Sequence, residues 1–307
     1  MTLTFPSSST RPLLRVLAPV PVLLLGGCAS MDATHQDSST LERVGSDVRV
    51  VTTSDVQWGA LNPARGAAGP RAGDLWGDRT GSSATGFLVR FGEGFSSPPH
   101  IHNITYRGIV IDGLIHNDDP EAEESWMPSG SYWTQPAGEV HITAARGDGR
   151  LAYIEIQDGP YLVMPPEEAS DTGERALNLH AGNMVWLDAS SSNRITLPAG
   201  VQPGKGPKIS FLWGDPQDES ASGAMVRVPS GCTVTLQSDD PMLRAVVIKG
   251  QAILHRRGGL ESQPLEPGSF VGATGGSNSR ITMSASEACW LYVRGKGAFS
   301  LVAAPAE

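Results

Sequence analysis

The sequence predicts an all-β protein that contains two copies of one domain, and three observations support this prediction. Glycine and proline number 36 and 23 among 307 residues, whereas charged residues make up only 18%. Short runs of Val, Ile and Leu alternate with Gly, Pro, Asn and Asp turns, as in a β-sandwich or barrel. Residues 69–113 align without gaps with residues 206–250, and 16 of these 45 positions are identical. A match of this length indicates a duplication.

The first 27 residues have the features of a targeting segment. Arg11 and Arg15 precede an apolar run over residues 16–25, and Leu25 opens a Leu-Gly-Gly-Cys box that ends at Cys28. The run is too short for a transmembrane helix. The segment resembles a bacterial lipoprotein signal, which implies cleavage before Cys28 and lipidation of that cysteine. An ordinary secretory signal with a chance cysteine is the alternative.

This resemblance implies a lipid-anchored protein in the periplasm of a bacterial cell envelope. The residue after the cysteine is Ala29 rather than Asp, which resembles lipoproteins that are sorted to the outer membrane. Residues 28–43 are rich in Ser, Thr and Asp, which favours a flexible tether, with His35 as an exposed spacer. The net charge of −9 argues against nucleic acid as a partner.

The repeat defines the domain boundaries expected for the folded part. The first copy spans residues 44–164, a polar, proline-led linker spans 165–176, and the second copy spans 177–307. Both copies contain Leu-Trp-Gly-Asp, at residues 75–78 and 212–215. Because the second copy keeps this segment, we interpret its Trp as a structural anchor beside a turn. Arg107 recurs as Arg244, and we interpret this pair as structural too.

Two histidine segments in the first copy have the spacing of a metal site. The first runs from Gly94 through five residues to His100-x-His102, and then through three residues to Tyr106 and six more to a glycine. Histidines at positions i and i+2 of a strand point to the same face. The second segment has Gly130, five residues, Pro-x-Gly, two residues and His141. A third imidazole from this later strand would complete a three-nitrogen site.

These spacings resemble the two sequence motifs of the cupin family. The motif glycines, the proline and the three histidines are present, but Tyr106 replaces the motif glutamate and Ala145 replaces the motif asparagine. The resemblance implies two tandem cupin domains, each a small antiparallel jelly-roll β-barrel, with a metal ion inside the first. The change at Tyr106 removes the usual carboxylate ligand, which leaves Fe(II), Zn(II) and Mn(II) as candidate ions.

The second copy lacks the residues that would bind a metal. His100 aligns with Gln237, His102 with Asp239 and His141 with Ser279. Glutamine and serine are poor ligands for transition metals. We therefore expect one metal ion for each chain, and a second copy that is structural, forms interfaces and contributes a wall of the pocket.

Tyr106 and Glu139 are the candidate catalytic residues. Tyr106 shares the strand face of the two histidines, and its hydroxyl is expected to bond to metal-bound water or substrate; an aromatic that only packs in the barrel is the alternative. Glu139 precedes His141 by two residues and is a candidate general base or outer carboxylate. An exposed turn residue is the alternative for Glu139.

The remaining histidines and cysteines of the folded part do not belong to a recognisable site motif. His116 and His255 follow similar apolar runs in the two copies, so we interpret both as structural, and His180 has no pattern around it. Cys232 and Cys289 both lie in the second copy. A disulfide between them is compatible with the periplasm, but sequence does not fix their separation.

The first copy is similar to the cupin domains of a zinc-binding anti-sigma factor and of three-histidine dioxygenases such as acetylacetone dioxygenase. That similarity implies a metal-dependent enzyme acting on a small molecule, a dioxygenase with Fe(II) or a hydrolase or lyase with Zn(II) or Mn(II). The alternative is a non-catalytic sensor or ligand-binding lipoprotein, which the missing carboxylate favours. Both remain open, as does a homodimer.

Overall fold

The structure, a computed structural model, describes residues 48–218, 220–238, 243–255, 262–273 and 279–305. These residues lie in one compact unit, Gly45–Glu307. Within the described ranges the chain forms 22 strands and five short 3-10 helices, which confirms the all-β prediction. The helices are Thr53–Asp55, Pro63–Ala68, Pro166–Glu168, Ala181–Asn183 and Pro203–Lys205.

The strands follow one another with short turns, as the Gly and Pro content predicts. Up to the linker they are β1 (Val48–Val51), β2 (Gly59–Ala60), β3 (Arg71–Trp76), β4 (Ser83–Arg90), β5 (Ile101–His102), β6 (Tyr106–Asp118), β7 (Met127–Pro128), β8 (Tyr132–Gln135), β9 (Ile142–Asp158) and β10 (Val163–Met164). After it they are β11 (Leu177–Leu179), β12 (Ile195–Thr196), β13 (Lys208–Trp213), β14 (Ala221–Val228), β15 (Cys232–Ser238), β16 (Arg244–Lys249), β17 (Ala252–His255), β18 (Gln263–Leu265), β19 (Phe270–Ala273), β20 (Ser279–Ala285), β21 (Cys289–Lys296) and β22 (Phe299–Pro305).

Each copy folds into its own pair of sheets. In the first copy, one sheet has the order β11-β8-β6-β9-β4-β3-β2 with β7 paired to β6, and β5 pairs with β10. In the second copy, the two sheets have the orders β1-β19-β16-β21-β14-β13 and β12-β22-β15-β20-β17-β18. The duplication is visible in the register, because the β3–β4 and β13–β14 pairs each shift just before the repeated tryptophan. The two copies are therefore structural repeats.

The two copies exchange edge strands across the sequence boundaries. β1 lies in the first copy by sequence but pairs antiparallel with β19 of the second copy, with Val48 opposite Ala273. β11 lies in the second copy by sequence but pairs with β8 of the first, with Leu177 opposite Thr134. Strand pairing therefore joins the two copies in both directions across residues 164–177, and each copy contributes an edge strand to a sheet of the other.

Buried apolar side chains form three clusters. One fills the interior of the second copy with Val, Leu, Ile and Met, and includes Leu236, Leu254 and Leu291. Another lines the interior of the first copy. The third contains side chains from both copies, such as Leu88 and Phe270, and lies between them. Burial of this third cluster joins the copies, since apolar burial stabilises by about 25 cal/mol per Å².

The repeated Trp and Arg residues meet across the interface between the copies. The Arg107 guanidinium lies 4.0 Å from the Trp213 ring centroid, and the Arg244 guanidinium lies 4.0 Å from that of Trp76. Each arginine thus stacks on the tryptophan of the other copy, a cation–π contact. The structural interpretation of the Leu-Trp-Gly-Asp segments and of both arginines agrees with this reciprocal packing.

A buried ion pair crosses the same interface. Glu155 Oε1 lies 3.0 Å from Arg294 Nε, and both side chains are almost fully buried. The Tyr153 and Tyr292 hydroxyls donate to Glu155 Oε2 at 2.9 and 3.2 Å. A carboxylate with this many donors is compensated in a dry interior.

The predictions for the N-terminus lie outside the described residues. These are the signal over residues 1–27, the lipidated Cys28 and the tether over 28–43 with His35. No helix in the described part of the chain has the length and apolar content needed to cross a bilayer. Cys232 and Cys289, which are described, are free thiols on β15 and β21. Burial raises the pKa of the Cys289 thiol to about 12.

Candidate metal centre

The local strand geometry brings the three predicted histidines together. The backbones of His100 and His141 form an antiparallel bridge. His100 N lies 3.1 Å from His141 O, and His141 N lies 3.0 Å from His100 O. His102 follows on β5 and pairs with Val163 of β10. Gly138 in the preceding turn has φ +75°, and an added Cβ there would lie 2.3 Å from Ser170 Oγ. Glycine at that position therefore lets the turn bring His141 into the site.

Backbone carbonyls orient all three imidazole rings. The Nδ1 atoms of His100, His102 and His141 lie 2.9, 2.8 and 3.2 Å from the carbonyl oxygens of Pro98, Leu162 and Glu139. A carbonyl only accepts, so each Nδ1 carries the hydrogen and each Nε2 keeps its lone pair. Such outer contacts fix the tautomer of metal-binding histidines.

The three rings fit a divalent metal ion. Their candidate ligand atoms all lie within 4.8 Å of one another. Small ring rotations would close them around an ion with bonds of about 2.0–2.1 Å. Three protein nitrogens leave coordination positions open for a ligand, as catalytic sites do. Among the described residues this is the one cluster of three or more potential metal ligands that the structure contains.

Burial keeps the three histidines in the neutral form that binds metals. It lowers the pKa of His100, moves the pKa of His102 well below its usual value, and brings the pKa of His141 to about 3. The neighbouring histidines lower the last two pKa values further, because one imidazolium would repel another. The donor set is thus deprotonated over the neutral range.

Tyr106, at the start of β6, belongs to a buried hydrogen-bond network beside the histidines. Its hydroxyl donates to Asn117 Oδ1 at 2.9 Å and lies 3.4 Å from His141 Nε2. Thr143 Oγ1 donates to the same Asn117 oxygen at 2.8 Å, and Asn117 Nδ2 donates to Gln135 Oε1 at 2.8 Å. Burial raises the pKa of Tyr106, so the hydroxyl keeps its proton. The structure therefore places Tyr106 at the site as a neutral hydroxyl.

Tyr161 and Trp133 also belong to the site, and sequence analysis missed both. The Tyr161 hydroxyl lies 3.2 Å from His102 Nε2, and its ring stacks on His102 with centroids 4.4 Å apart. Trp133 lies on β8 in the same cavity wall, and its buried Nε1 has no hydrogen-bond partner. Neither residue belongs to a histidine motif. For Tyr161, the only sequence signal is an aromatic directly after Gly-Pro.

A cavity of about 50 Å³ opens beside the histidines. Its walls are mostly apolar and aromatic, with one arginine: Leu61, Asn62, Arg65, Pro70, Val89, Phe91, Phe95, Ser97, His100, His102, Tyr106, Trp133, Thr143, Ile154, Tyr161 and Val163. At roughly 10–15 Å³ for each water-sized position, the space holds about three to five such positions. The geometry suits a small ligand with an apolar body.

Glu139 contacts the site through its backbone rather than its carboxylate. Its carbonyl oxygen accepts from His141 Nδ1 and from Gln135 Nε2, the latter at 3.3 Å. Its carboxylate lines a separate surface cavity together with Arg175. Burial raises the pKa of Glu139, which Arg175 opposes. The catalytic role of the Glu139 side chain stays a prediction.

Four polar positions of the first copy correspond to apolar residues in the second. Tyr106 aligns with Leu243, and one inserted residue later Trp133, Gln135 and Thr143 align with Val271, Ala273 and Ile281. All four apolar residues belong to the packed core of the second copy and are buried. Gln237, which replaces His100, lies on β15; Asp239 is outside the described residues. At these four positions, the polar side chains are therefore specific to the first copy.

The other three described histidines lie away from the three-histidine cluster. His116 is buried, and its Nδ1 contacts the Ser125 backbone at 3.2 Å. His255 is exposed and lies 2.6 Å from Ser284 Oγ through Nε2. His180 is exposed and accepts from Gly182 N at 3.0 Å. Each has a local structural partner, as we expected for the first two.

The paired sheets of the two copies have the bicupin fold, and the three buried histidines lie in its first copy. The chain belongs to the family described as a domain of unknown function (DUF4437), which matches residues 49–302. No functionally curated protein matches the chain.

Solved structures with the same fold include dioxygenases and a decarboxylase. A Nostoc punctiforme protein named as a candidate dioxygenase is 14% identical, with 81% of this chain and 82% of that chain covered and a TM-score of 0.57. Salicylate 1,2-dioxygenase from Pseudoaminobacter salicylatoxidans, with gentisate, is 15% identical over 83% and 84%, TM-score 0.51. Oxalate decarboxylase from Lactobacillus farciminis, with formate, is 11% identical over 83% and 88%, TM-score 0.50. At these identities the likeness shows the bicupin fold alone.

Proposed function

We propose that the protein is a metal-dependent oxygenase that acts on a small molecule in the first-copy cavity. The observation that carries this proposal is the set of three oriented, neutral imidazoles facing an apolar cavity. Fe(II) is the ion that matches this activity. When bound, it would activate dioxygen and polarise substrate oxygens.

The protein's own residues would bind and orient the substrate. The Tyr161 hydroxyl lies 3.2 Å from His102 Nε2, so it is placed to donate to a ligand oxygen beside the ion. The Tyr106 hydroxyl lies 3.4 Å from His141 Nε2 and donates to Asn117, so it is placed to accept from a water or hydroxyl group beside the ion. Apolar walls such as Phe91, Phe95 and Val89 would exclude bulk water. Asn117 would keep the Tyr106 hydroxyl fixed through its hydrogen bond.

The lining residues favour an oxygenase over a hydrolase or lyase. Among the described residues that line the cavity, none is Asp or Glu, and the histidines are used as ligands. Zn(II)- or Mn(II)-dependent hydrolysis commonly uses a general base near the attacking water.

A non-catalytic sensor or ligand-binding protein is the second candidate. The lack of an acid or base beside the histidines favours it, as does the resemblance of the first copy to anti-sigma-factor cupin domains. In that case the ion would hold a ligand without turnover. For either activity, we also propose that Cys28 carries a lipid and that the protein lies in the periplasm at the outer membrane.

Oxygen uptake distinguishes the two candidates. The protein would be purified without a histidine tag, loaded anaerobically with Fe(II), and mixed with oxygen and a panel of small carbonyl and hydroxy compounds. An oxygenase consumes oxygen only with its substrate, incorporates oxygen-18 into the product, and loses both in His102→Ala. Compounds that bind without oxygen uptake at any concentration would contradict the oxygenase and support the sensor.

A further inference from the structure

Arg65 is the one arginine or lysine among the described residues that line the first-copy cavity. It lies in the 3-10 helix Pro63–Ala68, within a loop that Leu61 N and Pro70 O close at 2.9 Å. Asn62 Oδ1 accepts from Ala64 N at 3.0 Å and fixes the start of this helix. The loop therefore holds a half-buried arginine in the wall, close to the histidines.

Arg65 shares the cavity wall with His100 and His102 and has no acidic partner there. Among the described residues, no Asp or Glu lies within ion-pair distance of its guanidinium. A guanidinium presents a planar fork of N–H donors that matches a carboxylate. Arg65 is thus placed to receive an anion from outside the chain.

The charge balance of the cavity also requires an anion. The three imidazoles are neutral, and Tyr106 occupies the position of the motif carboxylate as a hydroxyl that donates to Asn117. A divalent ion together with Arg65 would place three positive charges in a largely apolar space, with no Asp or Glu among its described lining residues. Uncompensated buried charge is costly, so the ligand must bring negative charge.

The walls restrict the kind of anion. Apolar side chains form most of the lining, which disfavours a fully hydrated inorganic ion and favours an organic body. Trp133 also lines the cavity and adds an aromatic wall against which an organic body can pack. The space of about 50 Å³ beside the histidines suits a small ligand.

We propose that the ligand of this site is a small organic carboxylate, which Arg65 selects by its charge. This inference rests on the proposed function, because it takes a divalent ion on His100, His102 and His141 as given. Arg65 acts here as a binding residue outside the metal ligands. Its role is specificity for an anion over a neutral molecule of equal shape.

Pyruvate and diacetyl test this proposal as a matched pair. Both are small and offer two neighbouring oxygens, but diacetyl has a methyl group where pyruvate has a charged carboxylate oxygen. The purified full chain would first be loaded with Co(II), and its metal content measured. Each probe would then be titrated, with the visible absorption of cobalt and the heat of binding as readouts. The variants are Arg65→Gln, Arg65→Lys and, as a control of equal charge change at an exposed site, Arg49→Gln.

We expect the wild type to bind pyruvate at least tenfold more tightly than diacetyl. Arg65→Gln should weaken pyruvate binding by roughly tenfold to a hundredfold, the range of a charge-assisted hydrogen bond. Diacetyl binding and cobalt content should stay the same in that variant. Arg65→Lys should retain part of the preference, and Arg49→Gln should retain all of it.

Several results would overturn the inference. These are equal affinities for the two probes, no binding of either, unchanged pyruvate binding in Arg65→Gln, or equal weakening in Arg49→Gln. Failure of the oxygenase proposal gives a different result, because it shows as a lack of oxygen uptake while cobalt and pyruvate still bind; failure of the metal site itself shows as a wild-type chain that binds no cobalt. The oxygen and metal measurements therefore separate these failures from failure of the inference.

Discussion

Replacing Glu155 by alanine should destabilise the protein by about 3–5 kcal/mol, the usual cost of removing one member of a buried ion pair. Glu155 is 1% exposed and joins the two copies. Its carboxylate accepts from the Tyr153 and Tyr292 hydroxyls, from Arg294 Nε, and from Gln157 Nε2 at 3.1 Å. Alanine would remove all four acceptor contacts at once.

The magnitude follows from what the substitution leaves behind. Arg294 would stay buried with a positive charge, and among the contacts described here only Gln157 Oε1, at 2.8 Å, would still accept from its guanidinium. Replacing both partners by apolar residues of similar size removes that uncompensated charge. The double variant Glu155→Leu with Arg294→Met should therefore lose far less than the single variant, because such apolar exchanges are often neutral or stabilising.

Urea unfolding followed by circular dichroism, together with calorimetric melting, would measure this. For a unit of this size the single variant should melt about 6–20 °C below the wild type, at about 2–4 °C for each kcal/mol. A cost below about 1 kcal/mol for Glu155→Ala would show that the buried carboxylate contributes little to the stability of the fold. A double variant as unstable as the two single variants added together would contradict the coupling of Glu155 and Arg294.

Two further predictions concern the site and the anchor. Tyr106→Phe should leave metal content unchanged and weaken binding of the small molecule roughly tenfold to a hundredfold, because one hydroxyl is lost. Reduced metal content in a titration of this variant would instead identify the Tyr106 oxygen as a metal ligand. Unchanged affinity for the small molecule would show that the ring only packs in the barrel. Cys28→Ser should abolish lipid labelling and release the protein from the membrane fraction, and labelling that persists in this variant would contradict the lipoprotein interpretation.

The duplication and the histidine cluster could be predicted because their signals are local in sequence. Strand alternation and turn residues depend on neighbouring positions, and a gap-free repeat preserves them. His100 and His102 share a strand face by their spacing alone. His141 joins them because a Pro-x-Gly turn precedes it in a matching motif. These features needed no knowledge of long-range packing.

The exchanged strands and most of the cavity wall could not be predicted in this way. Val48–Val51 falls outside the repeated segment, and nothing in its own sequence states which sheet edge it completes. Tyr161 reaches His102 only because β10 pairs with β5, a contact between segments 60 residues apart. Arg65 is brought to the wall by a short 3-10 helix that carries no motif. Such contacts depend on tertiary packing.

Metal analysis of the untagged protein, purified anaerobically, would establish whether the first copy holds a metal ion. We predict one divalent ion for each chain, bound by the three histidines of the first copy. Substitution of His100 or His141 by alanine should abolish binding, whereas His255→Ala, as a matched control in the second copy, should bind the ion fully. Two ions per chain, or full occupancy after either site substitution, would contradict this prediction.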